Sequence, residues 1–204
     1  RKGFEYAYGP SINWYQGKEN WLFLGNSYDK SVEKLKLVNT PDQQDIESLS
    51  LKMQEITKVA SRSNVQVIFM MGPNKESIYP EYLPTSLVPS DTKYSSYFLN
   101  ALRQIPKIHV YDPTFDLKNA KESEGLLYWK TDTHWNQKGA YIAFQGLVKA
   151  LSIPAPKVEF EQGPTYEGDL IGISKLEKFS LSKFDNWILK WDKEVISSEK
   201  ILPN

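Results

Sequence analysis

The sequence predicts an α/β fold in which helices cover both faces of a mainly parallel sheet. Residues 65–71 form an almost continuous apolar run that ends at Gly72-Pro73, which is typical of a parallel strand buried on both faces. A segment with helical periodicity leads directly into this run. Further strand-like and helix-like segments then alternate as far as Leu151, the pattern of a doubly wound, three-layer domain.

The first forty residues contain little regular structure by sequence pattern. Residues 1–19 show no clear periodicity, and we interpret them as an irregular lead-in. Residues 21–25 form an apolar run ended by glycine, which predicts a small buried strand or a docking segment. Residues 26–39 are predicted to form a loop with one helical turn.

A long helix is predicted to begin at Thr40. Thr40 would cap it, Pro41 would take the first helical position, Asp42 would place an acid in the first turn, and Gln43 follows the cap by three residues. Apolar residues recur at three- and four-residue steps and predict a buried face made of Ile46, Leu49, Met53, Ile56 and Ala60.

The next segment carries a loop and another helix. Residues 74–90 contain three prolines and are long for a connector, and loops of this length are often functional. Ser90 or Asp91 is predicted to cap the helix that follows. Its predicted buried face consists of Tyr94, Tyr97, Phe98, Leu99 and Leu102.

Shorter elements are predicted beyond this helix. Residues 108–111 are expected to form a short strand, residues 114–120 one or two helical turns, and residues 126–129 a third strand. A final strand is predicted at residues 187–191.

Asn136 is a favourable N-cap for a last helix that runs to Leu151. Its predicted buried face consists of Ala140, Ala143, Phe144, Leu147, Val148 and Leu151. We assign a single domain to residues 1–204, with an α/β core at 20–151 and an extension at 152–204.

Composition excludes several classes of function. The chain has 25 acidic and 25 basic residues, so neither a nucleic acid nor an anionic membrane has electrostatic support as a partner. It has no cysteine, which excludes disulfides, thiolate metal sites and a cysteine nucleophile. Its six Trp and twelve Tyr either fill a core or stack on sugar rings. Because the chain begins at Arg1, we expect a processed or trimmed product.

Asp132 and His134 form the strongest candidate site. They are one residue apart, so in an extended segment both side chains point to the same side. They precede the helix predicted from Asn136 and therefore lie on a strand-to-helix connection, where open α/β sheets bind ligands. Spacing alone leaves three interpretations open: an acid–base pair, two metal ligands that lack a visible third partner, and a histidine that hydrogen-bonds within a turn.

Residues 132–136, followed by Lys138-Gly139-Ala140, resemble the Asp-x-His-Trp motif of the alginate O-acetyltransferase family, whose catalytic domain is SGNH-hydrolase-like. Three other passages are similar to family motifs and occur in the same order. They are Gly17 to Leu24, Met71 to Lys75 together with Ile78 to Pro84, and Gly168-Asp169-Leu170. Four motifs over residues 17–170 are far more specific than a lone Asp-x-His.

The resemblance implies a three-layer SGNH-hydrolase-like (flavodoxin-like) fold and a Ser-His-Asp triad in which Asp132 is the acid and His134 the base. In the family the nucleophilic serine lies downstream, in a Gly-Asp-Ser or Gly-x-Ser setting. The serines beyond Gly168-Asp169-Leu170 do not have that setting; they are Ser174, Ser180, Ser182, Ser197 and Ser198. We therefore expect the C-terminal strand-Ser-helix portion to be missing and this piece alone to be inactive, with a naturally serine-less relative as the alternative.

Further residues are assigned by the same resemblance. Asn74 would supply an oxyanion donor, or is simply a turn residue. Lys75 and Tyr79 would line the substrate groove, or are a solvated lysine and a tyrosine packed under the loop. Trp135 would flank the site or support the His134 loop. Asp169 receives no role beyond shaping a turn.

The function implied is O-acetylation of an extracytoplasmic bacterial polysaccharide, which places the protein in the periplasm or outside the cytoplasm. The implied partners are a polysaccharide acceptor and an acetyl donor, for which an acetyl-carrying membrane protein is one option. No cofactor and no metal are expected. Two alternatives stay open: a carbohydrate esterase with the same triad, in which water replaces the sugar, and a non-catalytic polysaccharide-binding relative.

Overall fold

The computed structural model of the chain describes residues 12–176 and 181–190 and confirms the α/β class. Its helices are α1 (Asn26–Asp29), α2 (Ser31–Lys36), α3 (Gln43–Arg62), α4 (Lys75–Ile78), α5 (Tyr94–Leu102), α6 (Thr114–Glu124), α7 (Gln137–Ala150) and α8 (Asp169–Ser174). Its strands are β1 (Trp14–Gln16), β2 (Leu22–Leu24), β3 (Val67–Met70), β4 (Ile108–Tyr111), β5 (Phe160–Gln162) and β6 (Trp187–Leu189). Two short 3-10 turns lie at Lys18–Asn20 and Pro80–Tyr82. In the described part of the chain, no helix has both the length and the hydrophobicity that crossing a bilayer requires.

The strands form three separate pairs. β3 and β4 are parallel, as predicted, with Val67 opposite Ile108 and Met70 opposite Tyr111. β1 pairs with β2, and β5 with β6, both antiparallel. The prediction that β3 is fully buried is wrong for the described residues, because β3 pairs there with one strand only and its side chains are half-buried or exposed. A continuous apolar run indicates residues that avoid water, but it does not indicate how many strands or helices pack against them.

The main hydrophobic core lies beside the parallel pair and is built largely from aromatic rings. Trp21 and Phe23 are fully buried, and the Trp21 ring centroid lies 4.6 Å from that of Tyr79 and 4.6 Å from that of Tyr82. Gly17 allows this packing, since a Cβ atom there would lie 2.2 Å from the carbonyl oxygen of Tyr82. A second cluster packs α3 and α5 against the parallel pair through Met53, Leu102 and Ile105.

The lead-in and the segment after β2 are more ordered than predicted. Residues 14–16, interpreted as irregular, form β1 because they complete a hairpin with the buried β2. The loop predicted at residues 26–39 contains α1 and α2, and the helix predicted at 114–120 extends to Glu124. The strand predicted at 187–191 is present as β6, while Trp191 lies outside the described residues.

Both predicted cap positions for the middle helices are wrong. α3 begins two residues later than expected because Asp42 is its N-cap, with the carboxylate accepting a 2.8 Å hydrogen bond from the N–H of Gln44. On the same helix Ile56 is half-exposed and Thr57 is buried instead. α5 has Lys93 at its N-cap, since the hydroxyl of Ser90 closes a preceding turn by accepting from Thr92 N–H.

α7 begins where the sequence predicts it. Asn136 is fully buried, and its side-chain oxygen accepts a 2.9 Å hydrogen bond from the N–H of Gly139. Its amide nitrogen donates to the carbonyl oxygens of Leu126 at 2.7 Å and Asp185 at 2.8 Å. One side chain therefore caps the helix and joins it to two other segments. Within the helix, the prediction of a buried Phe144 is wrong, because that ring is 40% exposed.

We predict that Asn136→Ala lowers the free energy of unfolding by about 2 to 4 kcal/mol, because it removes the cap and leaves two buried carbonyls without a donor. Asn74 provides a matched control, since it is the N-cap of α4 but makes no side-chain cap bond. Asn74→Ala should cost less than about 0.5 kcal/mol. Equal losses for the two variants in urea unfolding would contradict this account.

Candidate active site

The candidate pair lies in a compact turn and not in an extended strand. The strand predicted at residues 126–129 is reduced to one antiparallel bridge between Tyr128 and Trp135. Between them the chain turns because the Asp132 carboxylate accepts a 2.8 Å hydrogen bond from the backbone N–H of His134. Such self-bonding is typical of aspartate in turns. The two side chains still meet, but through this turn and not through the two-residue period of a strand.

Asp132 is buried, and both of its carboxylate oxygens are engaged. Oδ1 faces Nδ1 of His134 at 2.8 Å in addition to its bond from the His134 N–H. Oδ2 accepts from the N–H of Asp169 at 3.0 Å and from the hydroxyl of Tyr166 at 3.3 Å. Four donors therefore hold the carboxylate in one orientation.

These donors also set the charge state of Asp132. Burial acts to raise its pKa, but the hydrogen bonds from Asp169 and His134 outweigh burial and lower the pKa below its ordinary value. The carboxylate is therefore ionised at neutral pH and can only accept hydrogen bonds. A neutral His134 ring must consequently carry its proton on Nδ1.

The imidazole of His134 presents its other nitrogen to solvent. The side chain is 74% exposed, although Asp132 beneath it is only 5% exposed. Nε2 makes no hydrogen bond to any residue that the structure describes. The ring is thus fixed on one side and free on the other, which is the arrangement that a general base requires.

Asp169 brings a second carboxylate to the site. Its Oδ1 accepts from the N–H of Thr133 at 2.9 Å, and its Oδ2 accepts from the Thr133 hydroxyl at 2.6 Å. Oδ2 also lies 3.8 Å from Nδ1 of His134. Thr133 is not placed to act as a nucleophile, because its hydroxyl already donates to Asp169 and lies on the Nδ1 side of the ring.

Gly168 lets the segment that carries Asp169 approach the turn. A Cβ atom at this position would lie 2.4 Å from the carbonyl oxygen of Thr131 and 2.5 Å from the Cβ of Asp132. The contact is completed by two backbone donors, Gly168 N–H to the Thr131 hydroxyl and Leu170 N–H to the Thr131 carbonyl. Any side chain here would push Asp169 away from Asp132.

Lys75 lies beneath the turn and is 2% exposed. Its ammonium donates to the carbonyl oxygens of Trp129 at 3.2 Å, Lys130 at 3.2 Å and Asp132 at 2.6 Å. It also lies 5.2 Å from the ring centroid of Phe23. Burial lowers the pKa of Lys75, and nearby carboxylates partly oppose the shift. The three carbonyl acceptors match the three protons of an ammonium, so the geometry fits the charged form.

The same cluster has the composition of a cation site. Ligand atoms of Asp132, His134 and Asp169 lie within 4.8 Å of one another, so Asp169 is the third partner that the sequence did not reveal. Both oxygens of Asp132 are already satisfied by N–H and O–H donors, however. The geometry is complete without an ion, and we assign none.

Comparison with known proteins identifies the family. Residues 15–183 match the family model described as the SGNH hydrolase-like domain of the acetyltransferase AlgX. The chain belongs to this family. The match includes the Asp132 turn, the Lys75 segment and Gly168-Asp169-Leu170.

Relatives of this AlgX-family chain include two proteins named as probable alginate O-acetylase AlgJ. The protein of Pseudomonas syringae pv. tomato is 27% identical over 168 residues, which cover 76% of this chain and 39% of the relative. The protein of Pseudomonas putida is 30% identical over 140 residues, which cover 67% and 33%. The chain therefore spans well under half the length of these relatives.

Solved structures support the fold. The O-acetyltransferase domain of Pseudomonas putida AlgJ superposes with a TM-score of 0.58 at 21% identity, covering 87% of this chain and 64% of that one. PatB1 of Bacillus cereus gives a TM-score of 0.56 at 18% identity, covering 87% and 57%. At these identities the similarity establishes the SGNH-hydrolase-like fold alone.

The structure places the other predicted site residues at different depths around the turn that carries Asp132 and His134. Asn74 is exposed at the start of α4. Lys75 is buried below the turn, and Tyr79 is 2% exposed with its hydroxyl accepting from the N–H of Leu127 at 2.9 Å. The Trp135 ring covers Gly72, where a Cβ atom would lie 3.2 Å from it. In this conformation Lys75 and Tyr79 support the site from below and do not face solvent.

The serines do not complete a triad within the described residues. Ser174 donates its hydroxyl to the carbonyl of Ile171 at 3.0 Å, and Ser182 accepts from the N–H of Phe184. Ser180, Ser197 and Ser198 lie outside the described residues. His109, the other histidine, is exposed on β4.

Sequence reasoning missed the roles of Asp169, Tyr166 and Thr133. The motif Gly168-Asp169-Leu170 signalled the first of these, but a motif match does not reveal which atom a residue contacts. Tyr166 and Thr133 carried no signal of their own, because tyrosine and threonine are common in turns and strands.

We predict that Lys75→Met lowers the free energy of unfolding by about 3 kcal/mol, because the carbonyls of Trp129 and Asp132 lose their donor and the Lys130 carbonyl loses one of its two. Lys52→Met, on the exposed side of α3, is the matched control and should change stability by less than about 0.5 kcal/mol. Chemical denaturation of both variants measures the difference. If Lys75→Met is as mild as Lys52→Met, the ammonium does not hold the turn.

Asp132→Asn should destabilise the chain in a pH-dependent way. Because the pKa of Asp132 is lowered in the folded state, the ionised carboxylate stabilises the fold above the ordinary value of 3.8 and loses this effect as pH falls through the lowered pKa. The penalty should be about 2 kcal/mol near neutral pH and should shrink as the pH falls through the lowered pKa of Asp132.

Urea unfolding of the wild-type and Asp132→Asn chains at a neutral and an acidic pH tests this expectation. Asp91→Asn, which changes an exposed carboxylate, should have little effect at either pH. An Asp132→Asn penalty that stays constant with pH would contradict the assigned charge state.

Proposed function

We propose that this domain is an O-acetyltransferase that moves an acetyl group to a hydroxyl of a polysaccharide, with Asp132 and His134 as its acid–base pair. The observation that carries the proposal is the 2.8 Å contact between Asp132 Oδ1 and His134 Nδ1, together with a solvent-facing Nε2. A buried carboxylate that orients an exposed imidazole is the geometry of acyl-transfer triads. Membership of the AlgX family and the names of the AlgJ relatives agree with this chemistry.

The nucleophile in the proposal is a serine hydroxyl from outside the described residues. Nε2 of His134 takes the proton of this hydroxyl as its oxygen attacks the acetyl carbonyl of the donor. The tetrahedral intermediate collapses, the bond to the donor breaks, and the proton passes from Nε2 to the departing donor oxygen. The product is an acetyl-serine enzyme with a neutral imidazole.

The second half of the reaction reverses the roles. Nε2 accepts the proton of a sugar hydroxyl while that oxygen attacks the acetyl carbonyl on serine. The serine oxygen leaves and recovers the proton from Nε2, and the sugar keeps the acetyl group. In both halves the imidazolium forms between solvent and Asp132, so the fixed carboxylate stabilises its positive charge. Asp169, with Oδ2 at 3.8 Å from Nδ1, adds negative charge on the same side.

The names of the relatives support a polysaccharide acceptor. Two of them are named as probable alginate O-acetylases, and alginate is a polysaccharide. We propose a polysaccharide acceptor here too, an extracytoplasmic location, and an acetyl donor that a membrane-bound partner carries. Asn74, at the exposed start of α4, is the proposed donor to the oxyanion.

The test uses the full-length gene product, an acetyl donor and an acceptor oligosaccharide. His134→Ala should reduce acetyl transfer by at least about a thousandfold, because both proton transfers lose their base. The chain contains a matched control in His109, and His109→Ala should retain transfer.

Two outcomes would overturn the proposal. One is transfer that survives in His134→Ala, with the fold of that variant verified by circular dichroism. The other is release of acetate at an unchanged rate with or without oligosaccharide and without acetylated product, which would identify an esterase.

A further inference from the structure

A groove of about 730 Å³ opens at the carboxyl ends of β3 and β4. Residues 71–74 and Asp112 form the edge that the two strands contribute, and side chains from α2, α4 and α5 form the walls. Its size is within the range of small-ligand sites, and its position is where open α/β sheets bind ligands.

The groove adjoins the acid–base pair. Gly72 and Pro73 line it, and the Trp135 ring lies directly over Gly72. The hydroxyl of Tyr128 donates to the Pro73 carbonyl at 2.6 Å, which ties this edge to the turn. Because Trp135 follows His134 in the chain, this contact places the Gly72 edge of the groove next to the turn that carries the proposed base.

The groove offers the groups that recognise a sugar chain. Tyr94 and Phe98 form a ring pair with centroids 6.0 Å apart, and ring faces suit the apolar faces of sugars. The side chains of Asn74, Ser77 and Ser95 line the groove and make no hydrogen bond to another described residue. These three free polar groups beside an aromatic pair match the pattern of hydroxyl recognition.

The charges in the groove disfavour a polyanion. Lys34 is bound to Asp29 at 2.5 Å, and Lys93 lies in the field of Asp112. Lys118 is the one lining cation that has no such carboxylate partner among the described residues. Asp45 and Asp91 also line the groove and form no ion pair with a described residue. A polyuronate carries one carboxylate per sugar and would meet more negative than free positive charge.

We infer that this groove binds the acceptor polysaccharide next to the acetylated residue, and that it selects an uncharged hexose or N-acetylhexosamine chain over a polyuronate. The inference rests on the proposed function, because it assigns the groove to the acceptor of that reaction. It goes further in naming the chemical class of the acceptor. This class differs from alginate, the polysaccharide in the names of the AlgJ relatives.

Binding of oligosaccharides to the 204-residue chain tests the inference without requiring catalysis. Titrations by calorimetry or NMR use cellohexaose, chitohexaose and hexamannuronate as probes. At least one neutral hexamer should bind, and hexamannuronate should bind at least about tenfold more weakly at low salt. Binding of the neutral probe by His109→Ala should equal that of wild type, because His109 does not line the groove and has no role in the proposed reaction.

Two sets of variants locate the binding. Tyr94→Ala should lower the affinity for the neutral probe by about tenfold. Tyr28 is an exposed tyrosine outside the groove, and Tyr28→Ala should leave this affinity unchanged. Asp45→Asn combined with Asp91→Asn should raise the affinity for hexamannuronate several-fold and leave the affinity for the neutral probe unchanged. Glu122→Gln combined with Glu161→Gln makes the same change in net charge outside the groove and should alter neither.

Three results would overturn the inference: tighter binding of hexamannuronate than of both neutral hexamers, no saturable binding of either neutral hexamer, or neutral binding that Tyr94→Ala leaves intact. The binding test can succeed or fail independently of the acetyl-transfer test. Specific neutral binding with no acetyl transfer in the full-length protein would leave the groove assigned and reject the acetyltransferase.

Discussion

The site depends on keeping one buried carboxylate ionised. A carboxylate with 5% side-chain exposure is stable as an anion only if donors replace its water, and Asp132 has four of them. Two come from His134 itself and two from the segment that Gly168 brings close. The same hydrogen bonds that stabilise the Asp132 anion also orient the imidazole of His134. The charge of Asp132 and the position of the base therefore depend on the same contacts.

Lys75 explains why four motifs that are distant in sequence occur together. Its ammonium binds the carbonyls of the Asp132 turn, while its charge lies over the rings of Trp21 and Phe23 from the N-terminal motif. The third motif is the segment that carries Lys75, and the fourth supplies the Asp169 N–H to Asp132. The four motifs contribute to one cluster of polar contacts around Lys75 and Asp132, and a change in any of them would disturb the others.

The sequence predicted the elements whose signals are local. The cap at Asn136, the parallel pairing of β3 and the convergence of Asp132 with His134 all follow from neighbouring residues. It did not predict the exposure of Phe144 or the buried state of Lys75, because each depends on contacts between distant segments. Lysine is almost never fully buried in proteins unless its charge is paired. The burial of Lys75 is favourable because its ammonium donates to the three carbonyls at residues 129, 130 and 132.

The tautomer of His134 decides whether the nitrogen that faces solvent can accept a proton. Two-bond ¹H–¹⁵N correlation spectra of the 204-residue chain, recorded where the ring is neutral, distinguish a proton on Nδ1 from one on Nε2. The contact with Asp132 predicts the Nδ1–H form, with Nε2 unprotonated, and the loss of this form in Asp132→Asn. A neutral His134 with its proton on Nε2 would rule out the proposed role, because the nitrogen that faces solvent would then be unable to act as the base.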